Sequence, residues 1–188
     1  MFNDRTEAGR QLADKLTPSV GAFDAVVAIP RGGVVVGFEI SKKLHISLVP
    51  LVVKKVPTFG EPELAAGAVG PEGFSIGRKS KETEKIVAER IEKYGSNPDF
   101  SGKRIILTDD GVATGATIET AIFYLKKKKA GSIIVAVPVV TKYEYEKLLK
   151  LVDGVIALKI PADFTAIGEF YRNFEQVNDA EVIQLLRI

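Results

Sequence analysis

The run from Ile105 to Thr117, Ile-Ile-Leu-Thr-Asp-Asp-Gly-Val-Ala-Thr-Gly-Ala-Thr, constrains the fold of this chain more than any other stretch. An apolar strand that ends in two carboxylates and passes through a Gly/Thr turn into a helix start is one half of an α/β unit. Gly111 and Gly115 permit a tight turn and close approach of a ligand, and Thr114 and Thr117 supply hydroxyls. Free N–H groups at the start of a helix favour an anion. Adjacent carboxylates suit a polyol or a hard cation. A ligand carrying both a diol and a phosphate satisfies both halves. Taken alone, the Asp109–Asp110 pair fits a solvated strand end or a helix N-cap equally well.

The rest of the chain repeats this alternation. Strands are expected at Ala25–Ile29, Leu48–Val53, Arg104–Thr108, Ile133–Val140 and Gly154–Ile160. Helices are expected at Ala8–Leu16, Val34–Leu44, Lys79–Tyr94, Ile118–Lys128, Tyr143–Leu151 and Asn178–Leu186. Pro138 marks its strand as ending there or lying at an edge. The sum is an α/β fold, a mostly parallel sheet with helices on both faces. Residues 1–188 read as one domain. Residues 57–77, rich in Gly and Pro, form a hairpin or mobile arm, and residues 161–177 form a partly aromatic tail. In such sheets ligands bind at the carboxyl ends of the strands, where Pro30–Gly33, Lys54–Lys55 and Asp109–Thr117 all fall.

Composition excludes several chemistries. There is no Cys, so thiolate nucleophiles and Cys-based zinc sites are ruled out, and the single His argues against a histidine-rich metal centre and a Ser–His–Asp triad. A net charge of +2 gives no strong nucleic-acid signal. Lys126–Lys129 falls in the last turn of a helix, where cations suit the dipole, and His45 has no acid partner in sequence. No apolar stretch reaches the ~20 residues of a membrane helix. The acidic start, Met1–Glu7, is no signal peptide, and a cytoplasmic location is expected.

Pro30-Arg-Gly-Gly33 places a guanidinium beside a flexible turn, a pattern matched to phosphate oxygens or, more plainly, an exposed Arg on a turn. Lys54 can neutralise the same anion, whereas Lys55 is expected to be solvated. Arg78 and Lys79, at the end of the arm, are weaker candidates.

The complete Ile105–Thr117 run resembles the ribose-phosphate fingerprint of type I phosphoribosyltransferases. Asp4–Gly9, Pro30–Val34 and Asp163–Gly168 resemble motifs of a subgroup of small bacterial and archaeal members, so the likeness spans almost the whole length. The resemblance implies that Asp109 and Asp110 take the 3′ and 2′ hydroxyls of phosphoribosyl pyrophosphate and share Mg2+, directly or through water. It assigns Gly111, Val112, Ala113, Thr114, Gly115, Ala116 and Thr117 to the 5′-phosphate. Arg31, Gly32, Gly33 and Lys54 fall to the pyrophosphate, with a cis peptide near Arg31–Gly32, and the catalytic set becomes Arg31, Lys54, Asp109 and Asp110. The arm and the tail correspond to a mobile loop and a hood, and a homodimer is expected.

The implied reaction is Mg2+-dependent transfer of the phosphoribosyl group to a nitrogenous base. A purine is suggested by the likeness of Pro161–Gly168 to the tail of hypoxanthine-guanine transferases, although Asp163 stands where those have Lys. Asp163, Phe164 and Tyr171 are the candidate acceptor contacts, with core packing as the plainer role for the aromatics. The alternative function is a regulator that binds phosphoribosyl pyrophosphate without turnover. A sugar-phosphate synthetase is disfavoured because no ATP loop is evident.

Overall fold

Every apolar run read as a strand pairs in the computed structural model, but one of them stops early. The structure describes residues 1–19, 21–58, 61–95 and 98–187. Its strands are β1 (Ala25–Ala28), β2 (Ser47–Pro50), β3 (Lys54–Thr58), β4 (Glu61–Val69), β5 (Ser75–Gly77), β6 (Arg104–Thr108), β7 (Ser132–Val139) and β8 (Gly154–Lys159). The helices are α1 (Arg5–Leu16), α2 (Gly32–Leu44), α3 (Lys81–Tyr94), α4 (Ala116–Lys127), α5 (Lys142–Leu148) and α6 (Asp179–Leu186). Five strands form one parallel sheet in the order β2-β1-β6-β7-β8, and β3-β4-β5 form a separate antiparallel sheet.

Alternation of side chains on the parallel strands divides the core in two. Val27, Ile105, Leu107, Ile133, Val135 and Val137 pack with Ile118, Ile122 and Leu125 of α4. Val26, Ile106 and Ala136 point the other way, onto Leu12 and Leu16 of α1 and Val36 and Ile40 of α2. Each fully buried Leu or Ile is worth roughly 2 kcal/mol, so a one-residue slip of β6 would turn three such contacts to the wrong face. That register fixes where the carboxylates after Thr108 emerge.

The strand expected over Leu48–Val53 ends at Pro50. The Leu51 N–H still donates to Ala28, but β1 has finished, and Leu51, Val52 and Val53 are buried as irregular chain. Lys54 and Lys55 therefore begin the arm rather than end a core strand, and the arm starts three residues earlier than Pro57. Its base is anchored, because Ala68 is buried on the α4 side of the core and Val56 and Val69 in a further apolar cluster with Val34, Val87 and Val182. Phe59 and Gly60, inside the expected arm, lie outside the described residues.

Pro138 stands one residue before the end of β7, as one of the two expectations had it, and not at a sheet edge. β7 runs between β6 and β8, yet β6 pairing ends at Leu107 and Val135, so a residue without an N–H is tolerated farther along. The tail folds back on the N-terminus through Phe2 N–H to Phe170 O (2.7 Å), Arg172 N–H to Phe2 O (2.8 Å) and Asn173 N–H to Asn3 O (2.9 Å). Phe2, Ala8, Val139 and Tyr171 close a small core there. No helix among the described residues is long and apolar enough to cross a membrane.

Candidate functional site

Because β1 and β6 are parallel neighbours, the loops that follow them leave the same edge of the sheet side by side, tied by Ile29 N–H to Thr108 O (3.0 Å). Between them lies a cleft of about 410 Å3. Arg31 and Gly32 form one wall, Asp109 to Gly115 with Thr117 another, and Lys54 and Lys55 reach in from the start of β3. Gly33 and Ala116 stand just behind, in the first turns of α2 and α4.

The helix ends at this cleft differ from the others. Asp4, Ser80, Thr141 and Asn178 each cap their helix by accepting a backbone N–H at α1, α3, α5 and α6. The starts of α2 and α4, at Arg31 and Gly115, have no side-chain cap. Uncapped N–H groups and the positive end of the dipole make each an anion seat. At Gly115, φ is +72°, a conformation that favours glycine.

The turn after β6 brings both carboxylates onto the cleft. Asp109 Oδ1 accepts the Asp110 N–H at 2.8 Å. Asp110 Oδ2 meets Arg5 Nε at 2.7 Å, and the Asp110 carbonyl accepts the Tyr171 hydroxyl at 2.7 Å. Burial, and secondarily the charge on Asp110, pushes the Asp109 carboxyl well above the usual carboxylate range. Among the described residues no cluster of three or more acidic, His or Cys side chains is arranged to hold a metal. The two carboxylates still suit a hard divalent cation that takes its remaining oxygens from a ligand and water.

The opposite side is cationic. Burial lowers the Lys54 ammonium, and the charges of Arg90 and Arg31 lower it further. Arg31 is partly balanced by Asp179 at 3.7 Å, at the start of α6. Asp179 also accepts the Tyr94 hydroxyl at 2.7 Å and Lys93 Nζ at 3.0 Å. Those hydrogen bonds, Tyr94 first, hold its carboxyl below the ordinary value, while burial and then Asp179 push Tyr94 up to about 12. A lowered carboxylate stabilises the fold at neutral pH, and that stability is lost as pH falls through the carboxylate range. Asp179→Asn is thus expected to cost about 1 kcal/mol at pH 7, with the difference from wild type fading on acidification. Urea unfolding at pH 7 and below the carboxylate range measures it.

Several expected residues fall elsewhere. The cis peptide is Pro30–Arg31, one bond before the expected position. Lys55 lines the cleft with Lys54 and also lies near enough to lower Asp109, rather than standing free in solvent. Arg78 and Lys79 line a neighbouring cavity of about 850 Å3 that shares Lys54 and Lys55, not the cleft itself. None of Asp163, Phe164 and Tyr171 lines the cleft. Asp163 is exposed, Phe164 stacks on Phe170 at 5.9 Å, and Tyr171 is 5% exposed with its ring between Phe2 and Phe174. Apolar burial of the tail against the N-terminus took those aromatics. From that segment Ile167, Gln176 and Val177 reach the cleft instead. Lys128 pairs with Glu72 at 2.7 Å, in keeping with a helix end.

Asp179 and Glu144 carry no local signal in the sequence, and Arg5 stands out there only as part of the Asp4–Gly9 motif, with nothing to tie it to Asp110. Glu144, 4% exposed, lies with Glu119 beside Gly115, and burial raises its carboxyl while Lys147 opposes that rise.

Comparison with known proteins points the same way. A family model described as phosphoribosyl transferase domain matches residues 5–172. A Mycobacterium tuberculosis H37Rv protein whose name places it among phosphoribosyl transferases is 34% identical over 99% of this chain and 46% of its own length. The chain thus spans about half the length of the curated relatives it matches. The crystal structure of TT1426 from Thermus thermophilus superposes with a TM-score of 0.83 at 33% identity, covering 99% of this chain and 97% of that one. The purine phosphoribosyltransferase of Pyrococcus horikoshii Ot3 shares the fold, with a TM-score of 0.52 at 21% identity over 83% and 85% of the two chains.

Proposed function

Because the chain belongs to the phosphoribosyl transferase domain family, we propose that it transfers the 5-phosphoribosyl group of phosphoribosyl pyrophosphate to a nitrogenous base and releases pyrophosphate. One observation carries this reading: two uncapped helix starts and an adjacent acid pair share a single cleft. Those features match a phosphate, a vicinal diol and a pyrophosphate, the three polar parts of the donor.

In this reading the C1–oxygen bond breaks and its electron pair leaves with pyrophosphate. The base nitrogen then forms its bond to C1 and gives up a proton. Positive charge develops on the sugar and negative charge on the leaving group, so no protein nucleophile is required. Arg31 and Lys54 stabilise the departing charge. Asp109 and Asp110 accept from the ribose hydroxyls and orient the sugar, while Gly111 to Thr117 seat the 5′-phosphate. The same two carboxylates would hold Mg2+, which when bound supplies charge neutralisation at the diol and pyrophosphate oxygens. Ile167 and Val177 give the cleft an apolar side, the surface against which a flat base would lie, and a purine is the first acceptor to test.

Arg31→Gln is expected to weaken inorganic pyrophosphate binding by about tenfold while leaving ribose 5-phosphate within about twofold, because a charge-assisted fork is lost on one side only. Calorimetric titration of the two ligands checks it. For the reaction, pyrophosphate release is assayed with phosphoribosyl pyrophosphate, Mg2+ and a panel of purines, pyrimidines and orotate. Release that depends on one base supports transfer. Tight donor binding with no release for any base supports a regulator instead.

A further inference from the structure

We infer that Arg5 is a positioning residue of the donor site: it holds Asp110 so that the other carboxylate oxygen faces the ribose diol. The inference rests on the phosphoribosyl reading of the cleft and assigns a role there to a residue from the far end of the chain.

Arg5 sits in the first turn of α1, set by the Asp4 cap, and 105 residues separate it from its acid. Both side chains are largely withdrawn from solvent, 11% and 16% exposed. Arg5 Nε donates to Asp110 Oδ2 at 2.7 Å, while one terminal nitrogen donates to the Glu175 carbonyl at 2.8 Å. The guanidinium lies 3.7 Å over the Phe174 ring, which stacks on Tyr171 at 5.0 Å. Tyr171 in turn donates to the Asp110 carbonyl. A layered stack of Arg5, Phe174 and Tyr171 therefore grips Asp110 at two points, by its side chain and by its backbone.

The grip is one-sided. Among the described residues only Arg5 donates to the Asp110 carboxylate, and it uses Oδ2. Arg5 and Asp110 both line the cleft. A carboxylate fixed through one oxygen by a rigid guanidinium keeps one orientation for the other, and an acceptor already oriented loses less freedom when a hydroxyl binds it. Gly32 belongs to the same arrangement: a Cβ on it would collide with Asp110 Oδ2 and lie 2.8 Å from Arg5 Nε. The plainer alternative is a clasp that joins the N-terminal helix to the tail with no bearing on ligands.

Titration of ribose 5-phosphate and of inorganic pyrophosphate into wild type, Arg5→Gln, Asp110→Asn and the double variant separates the two. Arg5→Gln should weaken ribose 5-phosphate about tenfold and leave pyrophosphate within about twofold. In the Asp110→Asn background the same change should cost less than about twofold further, because a residue acting through Asp110 has nothing left to position. Equal loss of both ligands, full additivity of the two substitutions, or no effect of Arg5→Gln where Asp110→Asn has one would each overturn the inference. If Asp110→Asn itself leaves ribose 5-phosphate binding unchanged, the ribose assignment fails first and the inference falls with it. Should Arg5→Gln not fold, Arg5→Lys keeps the charge without the fork or the flat stack. It should show the same ligand selectivity at a smaller loss, about threefold, and loss of both ligands alike would again overturn the role.

Discussion

The double substitution Asp109→Asn/Asp110→Asn is expected to lower affinity for phosphoribosyl pyrophosphate by at least about 100-fold, two charge-assisted acceptors being removed at once. The single substitutions should then part company in stability. Asp109 is a carboxyl lifted by burial and by its neighbour. Its charge costs the fold nothing below the carboxylate range, and the cost grows as pH rises through that range toward neutrality. Asp109→Asn removes this cost and retains a side-chain oxygen for the Asp110 N–H, so its melting temperature at pH 7 should rise, with the gain shrinking on acidification. Asp110→Asn should lower it, because Arg5 is left mostly buried without its acid. Function and stability thus move in opposite directions at one position and together at the next. Titration of the donor with parallel thermal unfolding measures both. Unchanged donor affinity in the double variant would remove the ribose site from this cleft.

What could be read from the chain in advance was what short-range physics fixes. Arg104–Thr108 was legible because a continuous apolar run serves two packed faces, and Gly111–Thr117 because turn chemistry and a helix start are written in consecutive residues. Leu48–Val53 misled because an apolar run looks alike whether it pairs in a sheet or is buried as irregular chain, and only the length of β1 decides where pairing stops. The polar partners were beyond reach for a different reason. Arg5 meets Asp110 and Glu175, and Asp179 meets Tyr94, across separations of 105, 170 and 85 residues, where no periodicity connects them. Tyr171 shows the same limit for aromatics, since a ring that walls a pocket and a ring that fills a core have the same sequence signature. Its hydroxyl, however, reaches the backbone of the acid pair, so the residue bears on the cleft from behind.

Gly32 and Gly33 are neighbours in the first turn of α2, and helix propensity alone predicts that alanine at either would stabilise the protein by about 0.5–1 kcal/mol. The surroundings predict otherwise, and differently for each. A Cβ on Gly32 meets the far end of the Asp110 side chain and Arg5 Nε. Those side-chain ends can move only by giving up their ion pair, so Gly32→Ala should lose less stability than Gly33→Ala yet lose ribose 5-phosphate affinity about as much as Arg5→Gln does. A Cβ on Gly33 meets the Asp109 Cα at 2.9 Å and the Thr108 carbonyl oxygen at 3.1 Å. That is the backbone at the end of β6, held by the Ile29 N–H to Thr108 bond and by the parallel pairing with β1. It cannot yield without shifting the sheet, so Gly33→Ala should destabilise the fold by about 2 kcal/mol, as overpacking does. Urea unfolding and ribose 5-phosphate titration of the two variants test the pair of expectations. A stabilised Gly33→Ala, or a Gly32→Ala that binds ribose 5-phosphate as wild type does, would mean that the Pro30–Gly33 loop and the acid pair are not pressed together as described. The coupling between the two halves of the cleft would then have to run through the ligand alone.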